Sequence, residues 1–273
     1  MREEGITIER WKHANLKTGS FELDLILSRV TGRSRAEIVA HPQLKLSENQ
    51  ITRLNDDLRA LEAGTPFAYI SGKKEFFGIE LEVSESVLVP RPETEILVEM
   101  VLTLAPKNAT LLDLGTGSGA IALAIASERP DIKVSASDLS VSALEIAKKN
   151  ARLLNLNLTF FHSNWYQSLP CRKWDLLVSN PPYVSENDPH LDALKKEPIE
   201  ALTSGRDGLD AIRQIVSGSH DFLNPNGHLL IEHGFNQSET VGRIFMANSF
   251  ENILSTKDYS GIERVKLGKF NGG

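Results

Sequence analysis

The fold class of this chain is indicated most clearly by the segment Thr110-Leu-Leu-Asp113-Leu-Gly115-Thr-Gly117-Ser-Gly119. Its first five residues are typical of a buried strand, and glycine then recurs at every second position. Glycines in a turn let the backbone bend sharply and let a ligand approach with no Cβ in the way. The stretch therefore predicts a strand that turns into a helix at a binding site. A turn of this kind would also serve a nicotinamide or flavin dinucleotide.

The spacing of the glycines narrows the choice of ligand. The pattern is Gly-x-Gly-x-Gly rather than Gly-x-Gly-x-x-Gly, and the acidic residue Asp113 sits within the strand end. That crowding favours a cofactor that places no pyrophosphate at the helix N-terminus.

Strands and helices alternate around this stretch, from residue 109 to the end of the chain. Such alternation is typical of a parallel sheet with helices on both faces. The predicted strands are 110–114, 133–137, 158–162, 174–179, 228–232, 251–256 and 262–267. The predicted helices are 119–128, 141–154, 208–223 and 237–247. The fold class is therefore α/β, with a doubly wound, mostly parallel, seven-stranded sheet.

The part of the chain before this sheet has a different pattern. Residues from about 6 to 70 are predicted to be helical throughout, and two segments have the spacing of capping boxes, Ser34 to Glu37 and Ser47 to Gln50. This all-helical part shows no chemistry of its own. Packing alone and recognition of a macromolecule are equally good interpretations of it.

A β-hairpin is predicted between the two parts. Apolar residues from Phe76 to Val89 are broken by Gly78 and by a polar turn at Ser84. The segment that follows, Arg91-Pro-Glu-Thr-Glu95, is interpreted as ordinary helix-start chemistry. We expect a small helical N-terminal domain, a hairpin linker and a sheet domain, with bounds at 1–72, 73–92 and 93–273.

Composition and charge set limits on function. The 273 residues include 30 Lys and Arg against 36 Asp and Glu, so the formal net charge is −6. This net charge argues against a protein that binds nucleic acid over its whole surface, but it does not exclude a local basic patch. The single cysteine, Cys171, cannot form an internal disulfide, which favours a reducing setting.

Targeting and metal signals are not found in the sequence. No apolar run reaches the roughly 18 residues of a membrane-spanning helix, and residues 1–8 lack the apolar core of a secretory signal. We therefore expect a cytoplasmic protein with no membrane contact. The seven histidines show no metal-binding spacing, so no metal is predicted.

A second motif, Asp175-Leu-Leu-Val-Ser-Asn180-Pro-Pro-Tyr183, reads as a buried strand that breaks into a loop. Neither Pro181 nor Pro182 has a backbone N–H, so carbonyl oxygens in this loop can face a ligand with no prolyl donor beside them. The Asn180 side chain adds an acceptor and the Tyr183 ring a flat wall. The loop suits a planar NH2 group, and we expect it to hold an amide or amino nitrogen for reaction.

Asp138 and Trp165 complete the predicted site. Asp138 ends the second strand, where an acid can accept both ribose hydroxyls of an adenosine-containing cofactor. Capping of the following helix is its alternative interpretation. Trp165 follows the third strand, at the right edge of the sheet to lie against an adenine, and a purely structural core Trp is equally consistent with the pattern.

The motifs together resemble a known family. Asp113 to Ala120 is similar to motif I of the class I S-adenosylmethionine-dependent methyltransferases, and Asn180 to Tyr183 is similar to their amino-methylating motif. With Val89-Pro-Arg-Pro-Glu-Thr-Glu95, Glu197-Pro198 and Gly205-Arg-Asp-Gly-Leu-Asp210, the chain resembles the peptide chain release factor glutamine methyltransferases (the HemK/PrmC family). The similarity covers nearly the whole chain, from the helical N-terminal part to Gly261-Ile-Glu-Arg-Val265.

This resemblance implies a Rossmann-like methyltransferase fold and a reaction. The expected activity is methyl transfer from S-adenosylmethionine to N5 of the glutamine in the Gly-Gly-Gln motif of class 1 release factors, by a monomer without nucleic-acid specificity. The implied cofactor contacts are Gly115, Thr116, Gly117, Ser118, Gly119, Asp138, Trp165 and Asn180. The implied glutamine contacts are Asn180, Pro181, Pro182 and Tyr183, of which Asn180, Pro181 and Tyr183 are expected to be catalytic.

Two rival functions are weighed against this one. A DNA or RNA amino-methyltransferase acting on adenine N6 shares the Asn-Pro-Pro-Tyr motif, but it predicts a basic recognition surface. A non-catalytic binding module could keep the fold. The acidic balance of the chain disfavours the first, and the two intact motifs disfavour the second.

Overall fold

The computed structural model of the protein describes residues 5–272. They divide into two compact units, one ending at Gly72 and the other beginning at Lys73. Residues 1–4 and 273 lie outside the described residues. Residues 1–4 belong to the predicted N-terminal domain, and residue 273 is the last residue of the predicted sheet domain.

The first unit is built from helices around one apolar core. Its helices are α1 (Ile8–Ala14), α2 (Ser20–Thr31), α3 (Arg35–Ala40), α4 (Glu48–Glu62) and α5 (Phe67–Ser71). Ser34 and Ser47 accept hydrogen bonds from the first turns of α3 and α4, so both predicted capping boxes are confirmed. The side chains that α2 and α4 share in the core include Leu23, Ile26, Leu27, Leu54 and Leu58.

The second unit begins with the predicted hairpin, whose antiparallel strands are β1 (Lys73–Phe76) and β2 (Ile79–Glu82). The prediction of strand structure as far as Val89 is wrong, because regular pairing ends at Glu82. Val87 and Val89 are nevertheless buried in an irregular segment. Their apolar character therefore reports burial and not strand structure.

The remaining strands form one seven-stranded sheet. They are β3 (Thr110–Leu114), β4 (Lys133–Asp138), β5 (Thr159–His162), β6 (Trp174–Ser179), β7 (Leu223–Glu232), β8 (Glu251–Lys257) and β9 (Glu263–Lys269). Their order is β5-β4-β3-β6-β7-β9-β8. The first five in this order pair in parallel, and β9 pairs antiparallel with both β7 and β8. The predicted mostly parallel α/β fold is confirmed.

Helices cover both faces of this sheet. They are α6 (Glu95–Leu104), α7 (Ala120–Glu128), α8 (Val141–Leu153), α9 (Asp210–Gly218) and α10 (Ser238–Ala247). Successive side chains of a strand point to opposite faces. Accordingly, Leu111 of β3 belongs to the core under α6 and α7, and Leu112 to the core under α9 and α10. Each such buried leucine contributes about 1.5–3 kcal/mol through the hydrophobic effect.

One element boundary differs clearly from its prediction. The helix expected to reach residue 223 ends at Gly218 and is followed by a 3-10 turn. Strand β7 then begins at Leu223, five positions before the predicted start. Asn224-Pro-Asn-Gly227 has the composition of a turn, and the register with β6 shifts across it, from Trp174 opposite Leu223 to Leu176 opposite His228.

The pairing of β3 with β6 positions the functional site. Leu111, Leu112 and Asp113 lie opposite Leu176, Leu177 and Val178. The loops that follow these neighbouring parallel strands therefore open at the same edge of the sheet. Within residues 5–272, no helix is both long and apolar enough to span a lipid bilayer.

Candidate active site

A cavity of about 460 Å³ lies at the carboxyl ends of β3, β4 and β6. It brings together most of the predicted site residues, since its lining includes Gly115, Thr116, Gly117, Ser118, Asp138, Trp165, Asn180 and Pro182. Its outer rim includes Ser86 to Leu88 and Pro198, Glu200 and Ala201. Gly119, Pro181 and Tyr183 do not line the cavity.

The glycine-rich turn is held against the neighbouring strand by its backbone. The amides of Gly115 and Thr116 both donate to the Ser137 carbonyl at 2.9 Å. Gly117 has φ +55°, and a Cβ there would point into open space. Gly119 has φ +86°, and a Cβ there would lie 2.8 Å from Leu123 Cδ1. Gly117 thus offers bare backbone to a ligand, while Gly119 allows close packing of α7.

Asp138 points its carboxylate across this turn. One oxygen accepts from the Gly117 amide and the other from the Ser140 amide, each at 2.8 Å. A carboxylate oxygen has two lone pairs, so each retains one for a ligand. Ser140, not Asp138, caps α8 by accepting from the Ala143 amide. Burial raises the pKa of Asp138, and the amide hydrogen bonds oppose that shift.

Asp113 lies beneath the turn and is completely buried. It accepts a hydrogen bond from the Thr116 hydroxyl at 2.6 Å, which connects the carboxyl end of β3 to the turn that follows it. Burial raises the pKa of Asp113 to about 7, and the Thr116 hydroxyl opposes this shift. Its role is to shape the turn from below.

The indole of Trp165 both lines the cavity and packs on the apolar core beside β6. Its Cζ3 atom would lie 3.3 Å from a Cβ at Gly115, so the ring closes directly over the start of the turn. Trp165 has φ +48°, a rare conformation for a bulky residue. Its carbonyl accepts from the Ser163 hydroxyl at 2.9 Å. Strained backbone of this kind is found mainly at functional sites.

Asn180 ends β6 at the other side of the cavity. Its Nδ2 donates to Thr94 Oγ1 at 3.0 Å. Because this bond uses the NH2 end of the amide, the carbonyl end is the one that a ligand can reach. The strand end below it is fixed by the Ser179 hydroxyl, which donates to the Leu114 carbonyl at 2.6 Å.

Tyr183 is anchored at both of its ends. Its hydroxyl donates to Glu232 Oε1 at 3.2 Å, and its carbonyl accepts from Gln237 Nε2 at 2.9 Å. Burial, together with the Glu232 charge, raises the pKa of Tyr183. Glu232 is itself buried at the end of β7, and burial raises its pKa to about 7.

Thr94 and Glu232 contact the predicted site residues Asn180 and Tyr183, and neither was predicted as a site residue from the sequence. Thr94 lies in the segment interpreted as a helix start, and Glu232 ends the predicted strand 228–232. Thr94 is buried, and hydrogen bonding from its hydroxyl lowers the pKa of Glu232. The available signal was the position of Glu232 at the carboxyl end of a central strand, where parallel sheets place their sites.

The long loop 184–208 is tied to the segment before α6. Arg91 Nη2 contacts Glu197 Oε1 at 2.5 Å, and Glu197 Oε2 accepts from the Val89 amide at 3.1 Å. Arg91 therefore does more than start a helix. Its ion pair holds the two segments that supply the outer rim of the cavity, namely 86–91 and 198–201.

The buried Asn150 side chain connects the glycine-rich turn to the hairpin through hydrogen bonds. Its Nδ2 donates to the carbonyls of Ser118 and Glu82, and its Oδ1 accepts from the Glu82 amide. These bonds are 2.8–2.9 Å long. They fix the glycine-rich turn at Ser118, next to the Gly117 amide that Asp138 accepts from.

The donors and acceptors around the cavity suit a nucleoside at one end and a planar amide at the other. Asp138 keeps acceptor capacity for a diol, Gly117 leaves room for close approach, and Trp165 supplies an aromatic surface. Within residues 5–272, no group of three or more His, Cys, Asp or Glu side chains is arranged to hold a metal ion. Cys171 is exposed and does not line the cavity.

Comparison with known proteins gives matches over nearly the whole chain. Residues 92–205 match the family described as methyltransferase small domain, and residues 8–72 match the PrmC N-terminal domain. The chain is 42% identical to the release factor glutamine methyltransferase of Coxiella burnetii, over 93% of this chain and 92% of that protein. It is 40% identical to the protein of the same name from Neisseria gonorrhoeae, over 97% and 98%.

A solved structure supports the fold. The crystal structure of a methyltransferase from Pyrococcus furiosus superposes with a TM-score of 0.57, covering 78% of this chain and 98% of that chain. Its sequence identity is 18%, so this likeness concerns the fold alone.

Proposed function

The chain belongs to the release factor glutamine methyltransferase family, and from this premise we propose that it methylates N5 of the glutamine in the Gly-Gly-Gln motif of class 1 release factors. It is an S-adenosylmethionine-dependent enzyme, and it acts on a glutamine side chain of a protein. The motif, the release-factor class and the roles of individual residues are the proposed part.

The orientation of the Asn180 amide is the observation that carries the proposal. Its NH2 end is bound to Thr94, so its carbonyl oxygen is presented to the cavity that also contains Asp138 and the glycine-rich turn. An acceptor at this place suits the NH2 group of a substrate amide. It would repel the carbonyl end of the same amide and thereby choose which end enters.

The cofactor end of the cavity would be formed by the turn and the two strands beside it. When bound, S-adenosylmethionine supplies an electrophilic methyl group on a sulfonium ion. Gly115 to Ser118 would contact it through their backbone, and Asp138 would accept from its ribose hydroxyls. Trp165 would pack against the adenine. Gly119 would act indirectly, by letting α7 pack closely below the turn.

The substrate end would position a poor nucleophile. The lone pair of an amide nitrogen is delocalised into the carbonyl. Asn180 Oδ1 would accept one N–H and Pro182 would form the wall, since both line the cavity. The Pro181 carbonyl would accept the second N–H and Tyr183 would pack on the amide plane, although both lie beside the lining, so the bound substrate would have to reach past it. Fixing the nitrogen in this way supplies positioning, which reaches about 7–11 kcal/mol in favourable cases. No strong general base is required, because the nitrogen loses its proton readily once it carries the new methyl group.

The proposed substrate also sets the location. Release factors act in translation, so we place the enzyme in the cytoplasm.

Methyl transfer from labelled S-adenosylmethionine tests the proposal. The enzyme is incubated with a class 1 release factor, with the same factor carrying Gln→Ala in its Gly-Gly-Gln motif, and with double-stranded DNA. We expect label in the first acceptor alone, and mass spectrometry should place it on the glutamine. Label that persists in the Gln→Ala factor, or that enters DNA instead, would overturn the proposal.

A further inference from the structure

Gln237 stands at the start of α10, but its side chain does not serve that helix. It occupies the N-cap position, where a side chain usually accepts a hydrogen bond from the first turn, and it makes no such bond. The residue is nevertheless only 9% exposed. Its burial therefore has to be explained by the groups that its amide contacts.

The Gln237 amide uses both of its ends on backbone groups. Its Oε1 accepts from the Gly234 amide, just after β7, at 2.8 Å. Its Nε2 donates to the Tyr183 carbonyl at 2.9 Å and, at 3.4 Å, to the Asp207 carbonyl. One side chain thus joins the end of β7, the Asn-Pro-Pro-Tyr loop and the last part of the loop 184–208.

The chemistry of these partners fixes which way the Gln237 amide points. A backbone N–H can only donate and a backbone carbonyl can only accept. If the amide were rotated by half a turn, its NH2 group would face the Gly234 N–H and its oxygen would face the Tyr183 carbonyl. The observed orientation is the one that satisfies both partners.

Gly208 packs directly against the same carbonyl. It has φ +76°, and a Cβ there would lie 2.2 Å from the Tyr183 oxygen and 3.0 Å from Gln237 Nε2. The backbone of Tyr183 is therefore held at one atom by a hydrogen bond and by close packing.

The other end of Tyr183 is held by β7. Its hydroxyl donates to Glu232 Oε1 at 3.2 Å. With the carbonyl and the hydroxyl both fixed, the plane of the ring between them is fixed as well. In the proposed reaction this ring would pack on the substrate amide, and a misplacement of about 1 Å can cost about 100-fold in rate.

We propose that Gln237 is a positioning residue for methyl transfer, which acts by fixing the backbone of Tyr183 and thereby the plane of its ring. This inference rests on the proposed function, since it concerns the residue that would pack on the substrate amide. The rival explanation is that Gln237 serves only to close the loop 184–208 through Asp207.

Two variants remove the donor while keeping the length of the side chain. Gln237→Glu keeps an acceptor for the Gly234 amide but places a second acceptor against the Tyr183 carbonyl. With release factor as acceptor, we expect kcat to fall at least tenfold, while the dissociation constant of S-adenosylmethionine stays within twofold of wild type. Gln237→Met has no donor and no charge, so it provides a second route with the same expectation if the buried carboxylate prevents folding.

Gln214→Glu is the matched control. Gln214 lies on α9, is exposed and does not line the cavity, and the substitution makes the same change from an amide to a carboxylate. We expect it to leave both kcat and the affinity for S-adenosylmethionine unchanged.

A spectroscopic measurement shows whether Tyr183 itself responds. The four tyrosines are replaced by 3-fluorotyrosine, and the fluorine NMR signals of Tyr183 and Tyr166 are assigned with Tyr183→Phe and Tyr166→Phe. We expect either Gln237 variant to shift the Tyr183 signal and to leave the Tyr166 signal in place. Tyr166 is the internal control, since its hydroxyl donates to the Ile215 carbonyl at 2.9 Å and has no contact with Gln237.

The outcomes are distinct. Wild-type turnover in the Gln237 variants, in an enzyme that methylates the release factor normally, would overturn this inference and leave the proposed function intact. A lower kcat with an unmoved Tyr183 signal would also overturn it, because the effect would then come from the loop 184–208. Shifts of both tyrosine signals together with weaker cofactor binding would show a general structural loss and overturn it too. A wild-type enzyme that fails to methylate release factor would overturn the proposed function, and this inference with it.

Discussion

Arg91 Nη2 lies 2.5 Å from Glu197 Oε1, and the second oxygen of the same carboxylate accepts from the Val89 amide. The Glu197 side chain is 2% exposed and that of Arg91 is 34% exposed. This pair joins the segment before α6 to the loop that follows Tyr183. The loop 184–208 is longer than most connections in compact domains, and such loops are usually functional.

Replacing Glu197 should loosen that connection. Glu197→Ala leaves the guanidinium and the Val89 amide without their shared acceptor, and we expect the free energy of unfolding to fall by about 2–3 kcal/mol. Urea denaturation measures this loss. As a control, Glu80→Gln breaks the exposed Lys73–Glu80 pair and should cost less than about 1 kcal/mol. An equal loss of unfolding free energy in the two variants would show that the buried Glu197 pair stabilises the protein no more than an exposed ion pair does.

Asn180→Ala should remove an acceptor from the substrate end of the cavity. We expect turnover of a glutamine-bearing acceptor to fall about 100-fold, a loss typical of misplaced reacting groups. The matched control is Asn224→Ala, since Asn224 Nδ2 also bonds an acceptor, Asp175 Oδ1 at 2.8 Å, but at the start of β7. Near-normal turnover of Asn180→Ala, with circular dichroism showing a folded protein, would contradict the assigned role.

Asp138→Asn should weaken binding of S-adenosylmethionine. Hydrogen bonds to a charged acceptor contribute about 1.5–3 kcal/mol, so we expect the dissociation constant to rise roughly 10- to 100-fold. Titration calorimetry measures it directly. Asp131→Asn, just before the start of β4, removes a carboxylate paired with Arg129 instead and should leave the affinity unchanged. If the affinity of Asp138→Asn also stays unchanged, Asp138 does not contact the cofactor.

The stability of the protein should depend on pH through Glu232. Its pKa is raised from 4.5 to about 7, mainly by burial. The Thr94 and Tyr183 hydroxyls and Arg264 of β9 oppose the shift, whereas Glu93 adds to it. Between pH 4.5 and 7 the folded protein therefore binds a proton that the unfolded chain has released, so this contribution to stability is full below pH 4.5 and is lost as the pH rises through 7.

Glu232→Gln isolates this contribution. The difference in unfolding free energy between wild type and variant should change by up to about 3 kcal/mol from pH 4.5 to pH 8, at 1.36 kcal/mol per unit of pKa. Comparing wild type with the variant is needed because other groups also make stability depend on pH. Burial raises the pKa of Asp113, as it does for Glu232, and lowers the pKa of His228 and of His233. A difference that does not vary with pH would contradict the raised pKa of Glu232.

The sheet was predictable because its signals are local. The strand 110–114 and the strand 174–179 are mainly apolar. Each is soon followed by residues with unusual or restricted backbone freedom, glycine after the first and proline after the second. Strand β7 was placed less well, because Asn224 and Pro225 have the composition of a turn. The pair Trp174–Leu223 starts β7 before this irregular segment, and regular pairing with β6 resumes at His228, the predicted start of the strand.

The supporting residues of the site could not be predicted in the same way. Thr94 meets Asn180 across 86 residues, and Tyr183 meets Glu232 across 49. Each partner looks ordinary in its own segment. Only the order of the strands brings β7 beside β6 and so places a buried carboxylate under the Asn-Pro-Pro-Tyr loop.

The hydrogen bonds of Asn150 couple the hairpin to the glycine-rich turn that lines the cavity. A single buried amide group holds the Ser118 carbonyl in the glycine-rich turn and both backbone groups of Glu82 at the end of β2. A ligand that steadies the turn also steadies this amide, and by linkage the Glu82 N–H opens less often. Hydrogen–deuterium exchange at Glu82 should therefore slow on cofactor binding, although Glu82 does not line the cavity.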